Sequence, residues 1–396
     1  MATCSFWRIK NISKALRSSP YLFQEGKFNV RSNSSYSSSS GAKPGMSVTR
    51  LGLISVGLGA LVGTGYSFHK MYEARVPILN KGTGAESFVL KSLPDVATSR
   101  SVVSPTDNTG LKLKLFQYPT CPFCCKVRAF LDYHGFSYDV VEVDPVLRQE
   151  IKWSHYKKVP ILLAQVEDGY QQLNDSSMII SALMSYLYER DQTLQDVVKF
   201  YPSIEYKDDN GTVKKEIMNR YFLMFHGNIP KDRTKEDILL ERKWRKWVDD
   251  VLVHTLSPNV YRTREEAFQA FNWFSEVGEW DKLFPAWERF IMVYVGAVAM
   301  WIIGKRLKRR HNLKDDVRQS LYDECNFWIK TIKKQGTPFL GGSRPNLADL
   351  AVYGALTSIE GCNAFADLLA NTKIGPWYSA MKESVQNHAG SVAMSS

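Results

Sequence analysis

Cys121 and Cys124 stand one helical turn apart in the stretch FQYPTCPFCCKVRAFL, residues 116–131. Only the thiolate attacks an electrophile or binds a metal, and an ordinary free thiol titrates at about pH 8.5. Four uses are open to such a pair: disulfide exchange, metal binding, a covalent step, or presentation of another thiol to a substrate. The flanking pattern narrows the choice. An apolar run precedes the pair and a helical one follows, so Cys121 falls where the first N–H groups of a helix are unpaired and its dipole is positive. That position lowers a thiol pKa. Cys124, further in, is shielded and reads as the supporting or resolving thiol. Zinc needs two more ligands, and the nearest, Cys125 and His134, do not form a set at ligand spacing. No metal site is expected. Cys125 reads as a small core hydrophobe. The six cysteines have no regular spacing, which excludes a disulfide scaffold and suits a reducing compartment.

The elements that position the pair can be read in turn. LKLKLFQY, from residue 111, alternates as a half-buried strand does. A helix follows, with Thr120 as its N-cap, Pro122 in its first turn, Val127, Phe130 and Leu131 on one face, and Gly135 as its stop. YDVVEVDP is a second strand, VLRQEIKWS a second helix, and KKVPILLA a third strand entered through Val159-Pro160. After a turn at Asp168-Gly169, YQQLN is a short strand, and Asp175-Ser176 opens the helix SMIISALMSYL. A cis Pro160 would present the Val159 backbone to a peptide-like ligand, and proline is the residue at which cis costs little. The order β-α-β-α-β-β-α, with Cys-x-x-Cys opening the first helix and Val-Pro before the third strand, resembles the thioredoxin-like fold of the glutaredoxin and glutathione-transferase branch. In glutathione-binding members of that fold, a pair like Asp175-Ser176 receives the γ-glutamyl end of the tripeptide.

The rest of the chain reads as helical. IEYKDDNGTVKKEI, residues 204–217, carries an Asn210-Gly211 turn and reads as a hairpin insert. KEDILLERKWRKWVDDVLVHTL sets Leu240, Trp244, Trp247 and Val251 on one face. FIMVYVGAVAMWIIG, residues 290–304, has fifteen residues without a charge. It is too short for a span and is expected to be a buried core helix. The basic run behind it, Lys305 to Arg310, reads as a solvated face. In PFLGGSRPNLADLAVYGAL, Asn346 caps a helix and Asp349 closes a capping box, a folding element and not a catalytic one.

The net charge of +11 is concentrated in residues 1–70 and in the Lys305–Arg310 run. Neither interleaves aromatic with basic residues as a nucleic-acid platform does, so no nucleic-acid partner is expected. Residues 1–50 are basic and serine-rich, a composition that fits a transit peptide or a disordered tail. LGLISVGLGALVGTGYSF, residues 51–68, is uncharged; at 1.5 Å per residue it reaches about 27 Å, close to the hydrocarbon thickness. A single membrane span is expected there. The Ser-, Thr- and Pro-rich residues 69–110 read as a linker, and cleavage in 71–110 would release a soluble cytoplasmic body. The fold class is then α+β: an N-terminal single span, a thioredoxin/glutaredoxin-like domain at 111–190, a hairpin connector at 191–230, and an all-α glutathione-transferase-like domain at 231–385.

Tyr118-Pro119-Thr120-Cys121-Pro122-Phe123-Cys124, Val159-Pro160, Asp175-Ser176, the Asn-Gly hairpin and GGSRPNLADLAVYG together resemble the membrane-associated prostaglandin E synthases. The resemblance implies an isomerase converting prostaglandin H2, a lipid endoperoxide, to prostaglandin E2. It assigns catalysis to Tyr118 and Cys121, with Cys124 in support. Glutathione would be held by Phe123, Val159, Pro160, Asp175 and Ser176. The resemblance also implies a homodimer and a Golgi membrane, although the basic N-terminus alone would suit a mitochondrion. Some members bind haem with glutathione; here Cys-x-x-Cys is followed by Cys125 and not by His, so the residues give no independent haem motif. The substrate groove would lie between the two domains, lined by Phe and Trp. Two other functions fit the same residues: a glutaredoxin-like thiol-disulfide oxidoreductase, and a membrane-tethered glutathione- or haem-binding module.

Overall fold

The computed structural model describes residues 89–207, 213–225 and 233–394, all within one compact unit. The basic leader, the apolar stretch 51–68, the first part of the expected linker and the Asn210-Gly211 turn lie outside the described residues.

A six-stranded mixed sheet carries the thiol segment. Its strands are β1 (Val89–Leu90), β2 (Arg100–Val102), β3 (Leu113–Gln117), β4 (Tyr138–Glu142), β5 (Ile161–Val166) and β6 (Gly169–Asn174), in the order β1-β6-β5-β3-β4-β2. β3 and β4 are parallel, and β5 runs antiparallel to both β3 and β6. The four inner strands are those read from the sequence. β1 and β2 are not: they come from the segment expected to be a linker, pairing with β6 and β4. Strands of two and three residues are too short to carry a periodic signal.

β3 departs from the half-buried expectation, because all five of its residues are buried. Leu113 and Leu115 face one core and Phe116 a second, with Val141, Ile151 and Ile161. A central strand covered on both faces reads as buried throughout. Lys114 stays in place by donating to Thr98 Oγ1 at 3.0 Å.

α1 (Pro122–His134) follows β3 and ends at Gly135, whose φ of 75° is left-handed. Its N-cap is Cys121 and not Thr120. The residue before a proline is held out of the helical region, and Cys121 accordingly sits at φ −76°, ψ 124°. The expected second helix is absent; one 3₁₀ turn, Gln149–Ile151, stands in its place. Asp144 explains this, since its carboxylate takes the Val146 and Leu147 amides and competes with a helical start. Arg148, at φ 52°, then breaks the run.

α2 (Ser176–Tyr188) is capped by Asp175, and α3 (Leu194–Val198) by Thr193. β7 (Ser203–Lys207) and β8 (Val213–Ile217) form the hairpin. The helical half comprises α4 (Lys235–Trp247), a π segment at Val248–Leu252, α5 (Val253–Val260), α6 (Arg264–Val277), α7 (Trp280–Leu283), α8 (Ala286–Phe290), a second π segment at Ile291–Val295, α9 (Gly296–Arg310), α10 (Val317–Gln335), α11 (Leu347–Thr357), α12 (Asn363–Asn371) and α13 (Gly375–Gln386). Asn346 and Asp349 make the expected capping box on α11, and Asp349 also accepts from the Leu340 and Gly341 amides. Residues 290–304 are not a buried core helix. Phe290, Ile291, Tyr294, Val295, Val298 and Ile302 are all exposed, because the helix lies on the rim of the bundle and only one side meets α5 and α6.

Candidate functional site

The Cys121 thiol lies at the mouth of α1, and of the five described cysteines it alone is not buried. Its pKa is lowered, first by a hydrogen bond from the Cys124 thiol, then by the Cys124 and Phe123 amides and the Arg128 guanidinium, against the opposing cost of burial. Cys124 is fully buried, and burial together with that same bond pushes its pKa well up. The two thiols are therefore driven apart: the outer sulfur is shifted towards the thiolate and the inner one towards the protonated thiol. Cys125 is buried as expected, pushed up to about 11 by burial. It is nevertheless hydrogen-bonded, to the Pro119 carbonyl at 3.3 Å and from Arg128 at 3.1 Å.

Arg128 gave no functional signal in the sequence. It donates to Gln117 Oε1 at 2.9 Å and to the Pro119 carbonyl at 2.7 Å. One planar guanidinium thus clamps both sides of Tyr118 while stabilising the Cys121 thiolate. Tyr118 is the residue between those clamps. Burial is the main cause of its strongly raised pKa, and the nearby cysteines add to it. Its hydroxyl consequently stays protonated at neutral pH and can donate.

Val159-Pro160 is a cis peptide bond at the head of β5, with Val159 part-exposed. Asp175 stands at φ 69° and accepts from the Ser177 and Met178 amides at 2.9 and 3.1 Å. Ser176 is buried in the first turn of α2, while Phe123 packs against the main core. Tyr156, which the sequence did not single out, ties these parts together. Burial raises its pKa strongly, and its hydroxyl feels Asp175, Cys124 and Cys121 at once, with a hydrogen bond from the Asp175 backbone. The expected thiol residues and the expected Asp-Ser pair therefore share one site. Tyr261 of the helical half also lies within electrostatic range of Cys121.

Two further groups come from distant sequence. Arg220, just after β8, places Nη1 3.5 Å from Asp175 Oδ2, and its buried Nε has no partner. Lys126 is buried under Phe123; it bonds Ser177 Oγ at 3.2 Å and pairs with Asp249 of the helical half. Asp249 also accepts from Ser177 at 2.6 Å and from Tyr221 at 3.0 Å. Burial opposes its charge, yet Lys126 and these donors hold its carboxyl below the usual range. No local pattern announces such pairs, since their members lie 123 residues apart.

Two cavities lie between the thiol half and the helical half, where the groove was expected, but of the expected Phe and Trp lining only Trp273 is present. One of about 1160 Å³ is lined by Tyr133, Arg190, Arg233, Glu241 and Arg344, and one of about 340 Å³ by Thr120, Cys125, Arg128 and Trp273. Neither has Cys121 or Tyr118 in its wall. Among the described residues no cluster of three or more His, Cys, Asp or Glu could hold a metal ion.

Residues 113–165 match the glutaredoxin family. Prostaglandin E synthase 2 of Danio rerio is 49% identical over 298 residues, covering 74% of this chain and 76% of that protein. Prostaglandin E synthase 2 of Mus musculus is 49% identical over 294 residues, covering 74% and 75%. Among solved structures, apo glutathione S-transferase III is similar with a TM-score of 0.38 and 14% identity, covering 71% of this chain and 97% of that one.

Proposed function

Because the chain belongs to the prostaglandin E synthase 2 family, we propose that it isomerises prostaglandin H2 to prostaglandin E2 at Cys121. The carrying observation is the part-exposed Cys121 sulfur, held towards the thiolate by Cys124, two helix amides and Arg128. A thiolate here, that of Cys121 or of glutathione beside it, attacks the endoperoxide oxygen on C9. The O–O bond breaks, the electron pair goes to the C11 oxygen, and that oxygen takes a proton. Tyr118 is the donor by position and protonation state. Loss of the C9 hydrogen as a proton then forms the ketone and expels the sulfur, so the thiol is regenerated and nothing is reduced overall.

Glutathione fits the residues beside Cys121. The Val159 backbone ahead of cis Pro160 would pair with its main chain, and Phe123 would pack against it. Asp175, Ser176 and the α2 N-terminus would take its glutamyl end. The unpartnered buried Nε of Arg220, beside Asp175, suits the carboxylate of that end. Bound there, glutathione supplies a second thiol next to Cys121. Haem has no such support: neither cavity opens on Cys121, and no step here uses it.

In this proposal residues 51–68 anchor the protein as a single span in the Golgi membrane, and the working unit is a homodimer. The test is to give the full chain prostaglandin H2 with and without glutathione, beside Cys121→Ser. Product from the wild type and its loss in the variant are expected; equal product from both would falsify the isomerase reading. The hydrogen bond between the free thiols of Cys121 and Cys124 favours one competitor, a dithiol oxidoreductase. Isomerisation persists in Cys124→Ser, whereas dithiol exchange would collapse.

A further inference from the structure

The helical half leaves one strongly apolar surface open. From Ala286 to Arg310 the chain is one continuous helix, long and apolar enough by composition to cross a bilayer. One of its sides is packed against the protein. Met292, Val293, Ala297 and Gly304 are buried against the protein, and a Cβ on Gly296 would stand 2.7 Å from the Phe271 ring. The opposite side carries Trp287, Phe290, Tyr294, Val298 and Ile302, with Trp287 60% and Phe290 59% exposed. Steps of three and four residues set these side chains in a single stripe.

No charged residue lies between Arg289 and Lys305, and beyond the stripe the helix turns basic. Trp301 is held between Arg264, 4.5 Å from its ring centre, and Lys305, at 3.9 Å. Arg306, Arg309 and Arg310 are exposed. They have no ion-pair partner among the described residues.

We infer that this face docks on an anionic lipid surface, with the stripe in the headgroup boundary and the cations against lipid phosphates. Aromatic and aliphatic side chains along one face with a basic end make the composition of a helix that lies in a membrane interface. Each cation near an anionic leaflet strengthens contact about fivefold. A second copy of the chain suits the face less well. Between residues 282 and 304 the only acid is Glu288, which is buried, so a partner stripe offers the cations nothing to meet.

Gly304 packs on Tyr261, where a Cβ would lie 3.3 Å from the tyrosine Cβ, and Tyr261 feels Cys121. At its other end Glu288 of the helix meets Asp144, in the loop after β4. The packed side of this helix, not the exposed stripe, is what reaches Tyr261, within electrostatic range of Cys121. The docking itself does not depend on which reaction the thiol performs.

The test is hydroxyl-radical footprinting of the full chain in nanodiscs of phosphatidylcholine alone or with phosphatidylserine. Oxidation of Trp287, Phe290 and Tyr294 is expected to fall at least about fivefold in the anionic discs. Phe327 and Leu239, exposed elsewhere, should be unchanged. Lys305→Glu with Arg306→Glu should abolish the protection while leaving thiol reactivity at Cys121 intact. Equal oxidation in neutral and anionic discs overturns the inference. So does equal protection in detergent without phospholipid, which would assign the face to self-association.

Discussion

Gly354 of α11 lies directly against the backbone of Lys126 in α1: a Cβ added there would stand 2.6 Å from the Lys126 Cα and 2.8 Å from the Cys125 carbonyl oxygen. The thiol helix and the capped helix of the helical half therefore meet backbone to backbone, with no room for a methyl group. Gly354→Ala must push α1 and α11 apart, at a cost of about 1–3 kcal/mol. Chemical denaturation should show a lowered midpoint, and Cys121 alkylation should change because α1 carries that thiol. An unchanged midpoint would show that the helices are not so closely seated.

The two thiols should titrate apart. Cys121 is expected to react with iodoacetamide with a midpoint below the ordinary thiol range, and Cys124 not to react in the folded protein. Removing the donor in Cys124→Ala should raise that midpoint and slow alkylation near neutrality severalfold. Arg128→Met should move it in the same direction, and it also frees the Tyr118 loop. If Cys121 alkylates no faster than an exposed thiol peptide, the site loses its basis.

Lys126 and Asp249 test the tie between the two halves. Removing one partner strands a buried charge, so Asp249→Ala should cost about 3–5 kcal/mol. The double variant Lys126→Met with Asp249→Leu should lose less than the single one, because no charge is left unpaired. Thermal unfolding of the wild type, Lys126→Met, Asp249→Leu and the double variant gives the coupling directly. Strict additivity would mean that the pair does not act as a unit.

Glu288 sets a pH dependence. Burial, with a hydrogen bond to Asp144 and the charges of Asp144 and Glu150, lifts its pKa from 4.5 to about 7. It holds its proton more tightly folded than unfolded. The stability it lends is complete below its unfolded value and is lost as pH rises through about 7. Denaturant midpoints measured from about pH 5 to 8 should fall in the wild type and fall less in Glu288→Gln. Parallel profiles would remove Glu288 as the cause.

Asp349 is a second buried acid with a structural task. Burial raises it to about 6, although three amides and the Trp377 indole donate to it. Asp349→Ala leaves those donors without an acceptor and should cost about 2 kcal/mol or more. Cys121 reactivity in the fraction that folds should match the wild type, separating a folding role from a catalytic one.

The sequence by itself fixed whatever depends on neighbours along the chain. Pro122 after Cys121 dictates both where α1 begins and that Cys121 stays extended; Val159-Pro160 permits the cis bond; Asp175 caps α2; Asn346 and Asp349 close their box. Each is a local steric or hydrogen-bonding constraint, although the sequence reading puts the cap of α1 one residue early, at Thr120 rather than Cys121. The tertiary structure decided the rest. Arg128, Tyr156, Arg220 and the Lys126–Asp249 pair acquire their roles from groups brought close by the sheet order and by the contact of α1 with α11. Strands β1 and β2 exist only because β6 and β4 offer edges to pair with. Residues 290–304 read as core from their apolar composition, but burial belongs to the packing, and the bundle covers only one side of them.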